Sequence, residues 1–398
     1  MIIRKIEVEN FRNIKSAELE FCEGVNVFYG NNAQGKTNLL EAISVCLGKG
    51  FRRSRTALLI PFDSDNGDSD SRPDTSLRLY YEMDSMPGKE NVVHYKITNG
   101  RSHVEVNGMS LKSASDLYGD LKHVVFAPEH LVLVKGASEL RRYYIDNIAL
   151  MQNKAHKRIL TDYTAAIKQL AALNNEIIAS PDTVKNTRDM IGIWSDILIR
   201  QGINLTYGRV KYFEWLRKAA INLYEELTLG NERLGVIYKS NVFGEIEHTL
   251  PDFSDKNGLY KTYVEMLNKY QIYGKRHDFR VNVGAHRDDL AFTINGINAR
   301  DFGSQGQVKS ISLILKLAEA EIIRTRNRET PVILLDEVLG ELDALRRDYV
   351  INRLGMAQVF ITSCDYRDFV TDNTENLCVY NVKQGKFHSS GGGRFNLL

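Results

Sequence analysis

A glycine-rich segment, Gly30-Asn31-Asn32-Ala33-Gln34-Gly35-Lys36-Thr37, matches the pattern G-x-x-x-x-G-K-[ST] of nucleotide phosphate-binding loops. Glycines in such a turn let backbone N–H groups point at phosphate oxygens, and the helix that follows adds the positive end of its dipole. Lys36 is expected to reach the β- and γ-phosphates, and the Thr37 hydroxyl to ligate Mg²⁺. The predicted nucleotide-contacting residues are Gly30, Asn31, Asn32, Ala33, Gln34, Gly35, Lys36, Thr37 and Asn38.

A second segment, Val332-Ile333-Leu334-Leu335-Asp336-Glu337, places two acids directly after four apolar residues. The apolar run predicts a strand buried on both faces, and open α/β sheets bind ligands at the carboxyl ends of such strands. Asp336 is expected to hold Mg²⁺ through its water shell, and Glu337 to orient or deprotonate the attacking water. The sequence therefore predicts Glu337 and Lys36 as catalytic residues, and Thr37 and Asp336 as metal ligands.

The elements that must position these motifs are those of an α/β sheet. Val25–Tyr29 predicts a buried strand leading into the glycine-rich turn, and apolar residues recur at helical spacing over 39–47 after it. Two Asn-Gly pairs, Asn107-Gly108 and Asn295-Gly296, follow alternating residues and predict hairpins, because both positions of the pair accept positive φ.

The middle of the chain has a helical period instead. Apolar residues recur at spacings of three and four over 159–177 and 194–227, and the pattern returns over 259–270. We therefore expect a helical, lever-like domain at 146–274, inserted between the two parts of an α/β domain at 1–145 and 275–398. The insertion is expected to be helical throughout.

Composition limits the classes of partner. The 398 residues contain 52 Lys plus Arg and 50 Asp plus Glu, a net charge of +2, so any nucleic-acid-binding face must be local. The four cysteines, at 22, 46, 364 and 378, lack the spacing of a zinc cluster or a disulfide framework, which favours a reducing compartment. With neither a signal peptide nor a long apolar run, we expect a cytoplasmic protein with no membrane partner.

A third motif, Gly303-Ser304-Gln305-Gly306-Gln307, precedes an amphipathic helix. It is similar to the signature of ABC-type ATPases, in which a serine and a glycine at a helix N-terminus bind the γ-phosphate held by the other subunit. This similarity implies that Ser304, Gly306 and Gln307 contact the nucleotide across a dimer interface. The structural alternative is that Ser304 only caps the helix. Gly340-Glu341-Leu342-Asp343 resembles the D-loop of the same ATPases.

Together the motifs resemble the RecF family, whose members have an ABC/SMC-type ATPase head. The matching segments are 10–13, 30–41, 51–55, 126–129, 134–136, 141–143, 284–290, 304–307 and 336–343. The resemblance implies an α/β fold, an ABC-type P-loop ATPase head with a mixed β-sheet and an inserted helical domain. It also implies ATP and Mg²⁺ as cofactors and an ATP-dependent homodimer.

The resemblance further implies a weak ATPase of recombinational repair and replication. Such a protein would bind duplex and single-stranded DNA, clamp gap junctions, and support RecA loading with RecR and, indirectly, RecO. Arg52, Arg53 and Arg55, after the predicted P-loop helix, form a positive cluster that is the candidate DNA face. Nucleotide contact and simple solvation are the alternatives for these arginines.

Several alternatives stay open at this point. A GTPase is disfavoured because Asn268-Lys269-Tyr270-Gln271 lacks the acid of the guanine motif. An ABC head coupled to a nuclease is the main alternative within the superfamily, and it is disfavoured because only about 60 residues follow Asp336. An SMC-like nucleotide-gated interaction protein with little direct DNA contact is the alternative from a different class. The pair His286-Arg287 is either catalytic or structural. Thr362 follows the strand after which many ABC transporters place a histidine, which makes it a candidate sensor, and either acid of the pair at 336 and 337 could act as the base.

Overall fold

The computed structural model describes residues 1–48, 59–60, 73–113, 116–179, 184–246, 252–270, 281–354, 357–365 and 376–389. The chain divides into two compact units. The first unit consists of Met1–Leu131 and Lys316–Leu398, and the second unit is Val132–Leu315. The expected insertion, 146–274, lies wholly within the second unit, and its exact boundaries stay a prediction.

The strands are β1 (Ile2–Phe11), β2 (Ile14–Glu20), β3 (Val25–Tyr29), β4 (Thr75–Met83), β5 (Met86–Thr98), β6 (Arg101–Val106), β7 (Met109–Leu111), β8 (His123–Phe126), β9 (Leu234–Ser240), β10 (Gly244–Ile246), β11 (Asp289–Ile294), β12 (Ile297–Asn298), β13 (Val332–Asp336), β14 (Val359–Ser363), β15 (Leu377–Lys383) and β16 (Lys386–Ser389). The helices are α1 (Lys36–Cys46), α2 (Ser138–Gln152), α3 (Ala155–Ala179), α4 (Val184–Leu227), α5 (Lys256–Tyr270), α6 (Ala299–Phe302), α7 (Gln305–Ile322) and α8 (Ala344–Leu354).

The first unit contains a mixed sheet with the strand order β16-β15-β3-β14-β13-β8. The pairs from β15 to β8 are parallel, and β16 is antiparallel to β15. Every residue of β13 is buried, as its apolar run predicted. In this sheet Phe28 stacks on Tyr380, with ring centroids 4.9 Å apart. Because β3, β13 and β14 are parallel neighbours, their carboxyl ends meet at one edge, where the P-loop and the two acids lie.

An antiparallel sheet, with the order β2-β1-β4-β5-β6-β7, completes the first unit. Its β6–β7 turn is formed by Asn107 (φ 51°) and Gly108 (φ 79°), which confirms the first predicted hairpin. The apolar faces of this sheet and of α1 belong to one buried cluster, which includes Ile6, Leu40 and Leu79. This packing fixes the helix that begins at the P-loop.

The second unit combines helices with a small antiparallel sheet, β10-β9-β11-β12. The three helical periods are confirmed as α3, α4 and α5, and the second hairpin forms at Asn295 (φ 52°) and Gly296 (φ 82°). The expectation of helix throughout 146–274 is wrong, because β9 and β10 lie inside that range. The signal was present: Leu234, Val236 and Tyr238 alternate with less buried residues, which is the period of a strand.

Among the helices of the described residues, none combines the length and the apolarity needed to cross a bilayer.

Candidate nucleotide-binding site

The glycine-rich turn runs from the end of β3 to the start of α1 and has the backbone that its motif requires. Gly30 (φ 152°), Ala33 (φ 62°) and Gly35 (φ 112°) all have positive φ. A Cβ on Gly30 would lie 2.4 Å from the Val382 carbonyl oxygen, and one on Gly35 would lie 2.8 Å from Asn13 Oδ1. Both glycines are therefore required by conformation and by close packing.

Lys36 is folded back over this turn. Its side chain is 2% exposed, and Nζ donates to the carbonyl oxygens of Gly30 (2.7 Å) and Asn31 (3.0 Å). Glu337 Oε1 lies 3.3 Å from the same nitrogen. The ammonium group is therefore held at the turn, next to Glu337, the residue that follows β13.

Three hydroxyl and carboxyl groups converge beside Lys36. Thr37 Oγ1 and Thr362 Oγ1 each donate to Asp336 Oδ1 at 2.8 Å. The backbone N–H of Glu337 donates to Thr362 Oγ1 at 2.9 Å. The arrangement follows from strand register, since Asp336 of β13 pairs with Thr362 of β14.

Burial raises the pKa of Asp336, whereas the hydrogen bonds from Thr37 and Thr362 lower it. The negative charges of Glu337 and Glu129 raise this pKa further. A cation beside Asp336 would favour the ionised carboxylate and so oppose the effects of burial and of the two acids on its pKa.

Thr37 and Asp336 have the chemistry that Mg²⁺ prefers. They supply adjacent hard oxygen atoms, and Mg²⁺ in nucleotide sites is held by one or two such groups together with waters and phosphates. Within the described ranges, no group of three or more His, Cys, Asp or Glu residues could hold a metal ion by itself. The donor set therefore fits a metal ion that is bound together with the nucleotide.

A small cavity of about 80 Å³ lies at the turn. Its lining residues are Ala33, Gly35, Lys36, Thr37, Asn38 and Glu337. The cavity is thus lined both by residues of the P-loop and by Glu337, the residue that follows β13.

Residues outside the motif brace the turn from two sides. Asn38 Nδ2 donates to Asn13 Oδ1 at 2.8 Å, which ties the start of α1 to the β1–β2 turn. The backbone N–H of Gln384 donates to Gln34 Oε1, and that of Gly385 to the Gln34 carbonyl oxygen, both at 2.8 Å. Sequence reasoning did not find Asn13, Gln384 or Gly385 as parts of the site, since each lies far from the motif in sequence.

Comparison with known proteins gives the family. The model described as "RecF/RecN/SMC N terminal domain" matches residues 2–388. The DNA replication and repair protein RecF of Thermoanaerobacter sp. (strain X514) is 34% identical over 392 residues, which cover 97% of this chain and 99% of the relative. The chain belongs to the RecF family. The RecF of Clostridioides difficile (strain 630) is 29% identical over 398 residues, covering 99% of this chain and all of that protein.

Solved structures agree with this assignment. A structure of the recombination mediator protein RecF-ATP in the RecFOR pathway matches with a TM-score of 0.83 and 30% identity, covering 98% of both chains. The corresponding RecF-ATPrS structure has a TM-score of 0.82. An Smc head bound to the C-winged helix domain of ScpA is 16% identical, with a TM-score of 0.55, and shows the fold alone. The predicted fold class, an ABC-type head in an α/β protein, is confirmed.

The signature segment of this RecF family member forms a reciprocal helix cap. The backbone N–H of Gln307 donates to Ser304 Oγ at 3.2 Å, and that of Ser304 to Gln307 Oε1 at 2.9 Å. Gln307 Nε2 also donates to Glu232 Oε1 at 2.7 Å. Ser304 and Gln307 therefore cap α7 in this structure, and Gly306 lies in the first turn of that helix. Nucleotide contact by these three residues stays a prediction.

The remaining family motifs either make hydrogen bonds within the fold or lie outside the described residues. Arg141 is 1% exposed and donates to both carboxylate oxygens of Asp289, at 2.6 and 3.0 Å. His286 Nδ1 lies 2.8 Å from the Tyr163 hydroxyl in α3. The candidate DNA-binding residues Arg52, Arg53 and Arg55 lie outside the described residues.

Proposed function

We propose that this RecF family member is an ATP-dependent DNA-binding protein of recombinational repair and replication, and a weak ATPase. The observation that carries the proposal is the convergence of Lys36, Thr37 and Glu337 on one small cavity, with Asp336 hydrogen-bonded to Thr37 beside it. Its relatives are named DNA replication and repair proteins, and the RecF-ATP structure supports ATP as the nucleotide.

Each residue has a distinct part in hydrolysis. Lys36 would exchange the Gly30 and Asn31 carbonyl oxygens for β- and γ-phosphate oxygens, and backbone N–H groups of the turn would bind the same phosphates. Thr37 and Asp336 would hold Mg²⁺, which supplies neutralisation of the phosphate charge. Glu337, whose side chain is 39% exposed beside the cavity, would orient or deprotonate the attacking water.

We further propose a site completed by a second protomer. Ser304, Gly306 and Gln307 would contribute from the other chain, so that ATP favours a homodimer. That dimer would clamp duplex and single-stranded DNA at gap junctions and support RecA loading with RecR and, indirectly, RecO. Membership of the family supports the proposal of these partners, since a solved RecF is described as a recombination mediator protein in the RecFOR pathway.

DNA binding with and without ATP tests the proposal, with Lys36→Met beside the native chain. Removing the ammonium group is expected to weaken ATP binding by about tenfold or more, since charge-assisted contacts to phosphate contribute roughly 1.5–3 kcal/mol. ATP should then no longer stimulate DNA binding. Lys112→Met, at an exposed position on the same unit, is the matched control and should behave like the native chain.

Two results would contradict the proposal. One is ATP-independent DNA binding of equal affinity in the native chain and in Lys36→Met. The other is no DNA binding by the native chain under any nucleotide condition, which would favour a nucleotide-gated interaction protein.

A further inference from the structure

Thr362 lies at the centre of the hydrogen bonds that connect the two acids. It is 2% exposed at the end of β14, opposite Asp336 in the parallel register. Its hydroxyl donates to Asp336 Oδ1 at 2.8 Å and accepts the Glu337 backbone N–H at 2.9 Å.

The direction of both bonds is fixed by chemistry. A backbone N–H can only donate, and an ionised carboxylate can only accept, so the Thr362 hydroxyl must bridge from one to the other. A β-branched side chain has little freedom at χ1 within a strand, so the hydroxyl stays aimed at these two partners. Thr362 therefore couples the carboxylate of Asp336 to the backbone of the next residue.

The hydrogen bond to Thr362 stabilises an uncommon backbone conformation at Glu337. Glu337 has φ 52°, a left-handed conformation that L-residues with a Cβ adopt at a cost of about 1 kcal/mol. The bond from its N–H to Thr362 stabilises that conformation, and the conformation directs the side chain to within 3.3 Å of Lys36. Without the hydroxyl, the partly buried N–H would lose this partner and the turn could relax to a commoner backbone angle.

Thr37 donates a second hydrogen bond to the same oxygen of Asp336, but it does so from the first turn of α1, whereas Thr362 lies in β14. If the Thr37 hydroxyl turns to a metal ion, as the proposed function requires, its bond to Asp336 is given up. The Thr362 bond does not compete with that change, because Thr362 approaches from the neighbouring strand.

We propose that Thr362 is a positioning residue for ATP hydrolysis, which fixes the Asp336 carboxylate and the Glu337 backbone in one arrangement. This inference rests on the proposed ATPase function. It assigns Thr362 a geometric role in the hydrolytic step and none in contacting the nucleotide.

Three variants test the role. Thr362→Val keeps the shape and removes the hydroxyl, whereas Thr362→Ser keeps the hydroxyl. Thr75→Val is the matched control, because Thr75 is also fully buried on a strand of the first unit and donates its hydroxyl to a backbone oxygen, that of Asn10, at 2.7 Å. Steady-state hydrolysis, titration with a fluorescent ATP analogue and thermal unfolding are measured for each.

Thr362→Val is expected to lower kcat by about 10- to 100-fold, the usual effect of removing a group that orients a catalytic ligand. Its Kd for the analogue should change by less than about threefold, because neither Lys36 nor the turn is altered. Thr362→Ser should recover kcat to within about threefold of the native value. Thr75→Val should lose stability like Thr362→Val but keep the native kcat.

The outcomes separate the two proposals. If the native chain neither binds nor hydrolyses ATP, the proposed function fails and the role of Thr362 fails with it. If the native chain hydrolyses ATP and Thr362→Val keeps its kcat, only the positioning role is overturned. A loss of kcat that Thr362→Ser does not recover, or that Thr75→Val shares, also overturns it. Should Thr362→Val not fold, Thr362→Ala, which lacks the hydroxyl without inserting an apolar branch, takes its place with the same expected kcat.

Discussion

The ring of His286 is held in a setting that favours its neutral form. Nδ1 lies 2.8 Å from the Tyr163 hydroxyl and Nε2 lies 3.1 Å from the Val281 carbonyl oxygen. The pKa of His286 is lowered to about 4, chiefly by burial and in addition by the positive charges of nearby arginines, Arg287 first among them, while the bond to Val281 opposes the shift. This environment supports the structural interpretation of the His286-Arg287 pair.

His286 should therefore make stability depend on pH. Its pKa is lowered from 6.5 to about 4 on folding, so the unfolded chain binds the proton first. The stability that the neutral His286 ring contributes is fully present above about pH 6.5 and is lost as the pH falls toward 4. The free energy of unfolding should fall by about 2 kcal/mol from this cause between pH 7.5 and 5. In urea unfolding at pH 7.5, 6 and 5, the native chain should lose more stability than His286→Gln by that amount. Equal losses in the two proteins would show that His286 does not titrate in this way.

At the residue scale, patterns in the sequence alone pointed to four side chains that the structure brings together, and their roles stay predictions. Lys36 and Thr37 were predicted because a phosphate-binding turn needs those residue types at fixed positions, and Asp336 and Glu337 because they end a buried strand. Thr362 was noted only by position, as a candidate sensor. Its bonds to Asp336 and Glu337 depend on the register of β13 against β14, which no local pattern specifies.

The hairpin of β15 and β16 acts as a support for the P-loop. Its turn residues Gln384 (φ 50°) and Gly385 (φ 72°) donate their N–H groups to Gln34. A Cβ on Gly385 would lie 2.3 Å from the carbonyl oxygen of Asn13. The hairpin can approach the turn this closely only because position 385 has no side chain.

Gly385→Ala should consequently disturb the nucleotide site, whereas Gly88→Ala should not. Gly88 has nearly the same backbone angle, φ 76°, but a Cβ there would meet nothing within 4 Å. The control is expected to lose about 1 kcal/mol of stability from the strained backbone alone. Gly385→Ala should lose at least about 1 kcal/mol more and bind an ATP analogue several-fold more weakly.

Thermal unfolding and analogue titration of both glycine variants check this expectation. If Gly385→Ala matches Gly88→Ala in both measurements, the contact between the hairpin and the P-loop does not support the site.

At the element scale, long periodic segments were predicted well and short ones were not. α3 and α4 repeat their apolar spacing over many turns, so the signal accumulates. β9 and β10 lie between two helices and pair with each other, and the second partner of β9, β11, lies beyond α5 in the chain. The alternation in β9 covers only seven residues, so the long helical periods on either side of it led to the wrong expectation.

At the scale of the whole molecule, the charge balance constrains how DNA can be held. A net charge of +2 provides no general attraction for a polyanion, so binding must come from local basic clusters such as the arginines at 52, 53 and 55. A single cluster neutralises few phosphates. Two copies brought together by ATP would act on one duplex, and linked sites can exceed the affinity of either alone by about 10²–10⁴.

Glu337→Gln tests this two-copy arrangement, because it removes the proposed base while keeping the side-chain shape. With ATP, hydrolysis should fall and the ATP-bound dimer should accumulate, raising the dimer fraction in light scattering above that of the native chain. DNA affinity should rise with the dimer by about 10²-fold over the nucleotide-free protein and fall steeply with added salt. Adding Ser304→Arg, which places a bulky cation at the predicted partner contact, should abolish both effects. An unchanged dimer fraction in Glu337→Gln with ATP would contradict a site shared between protomers.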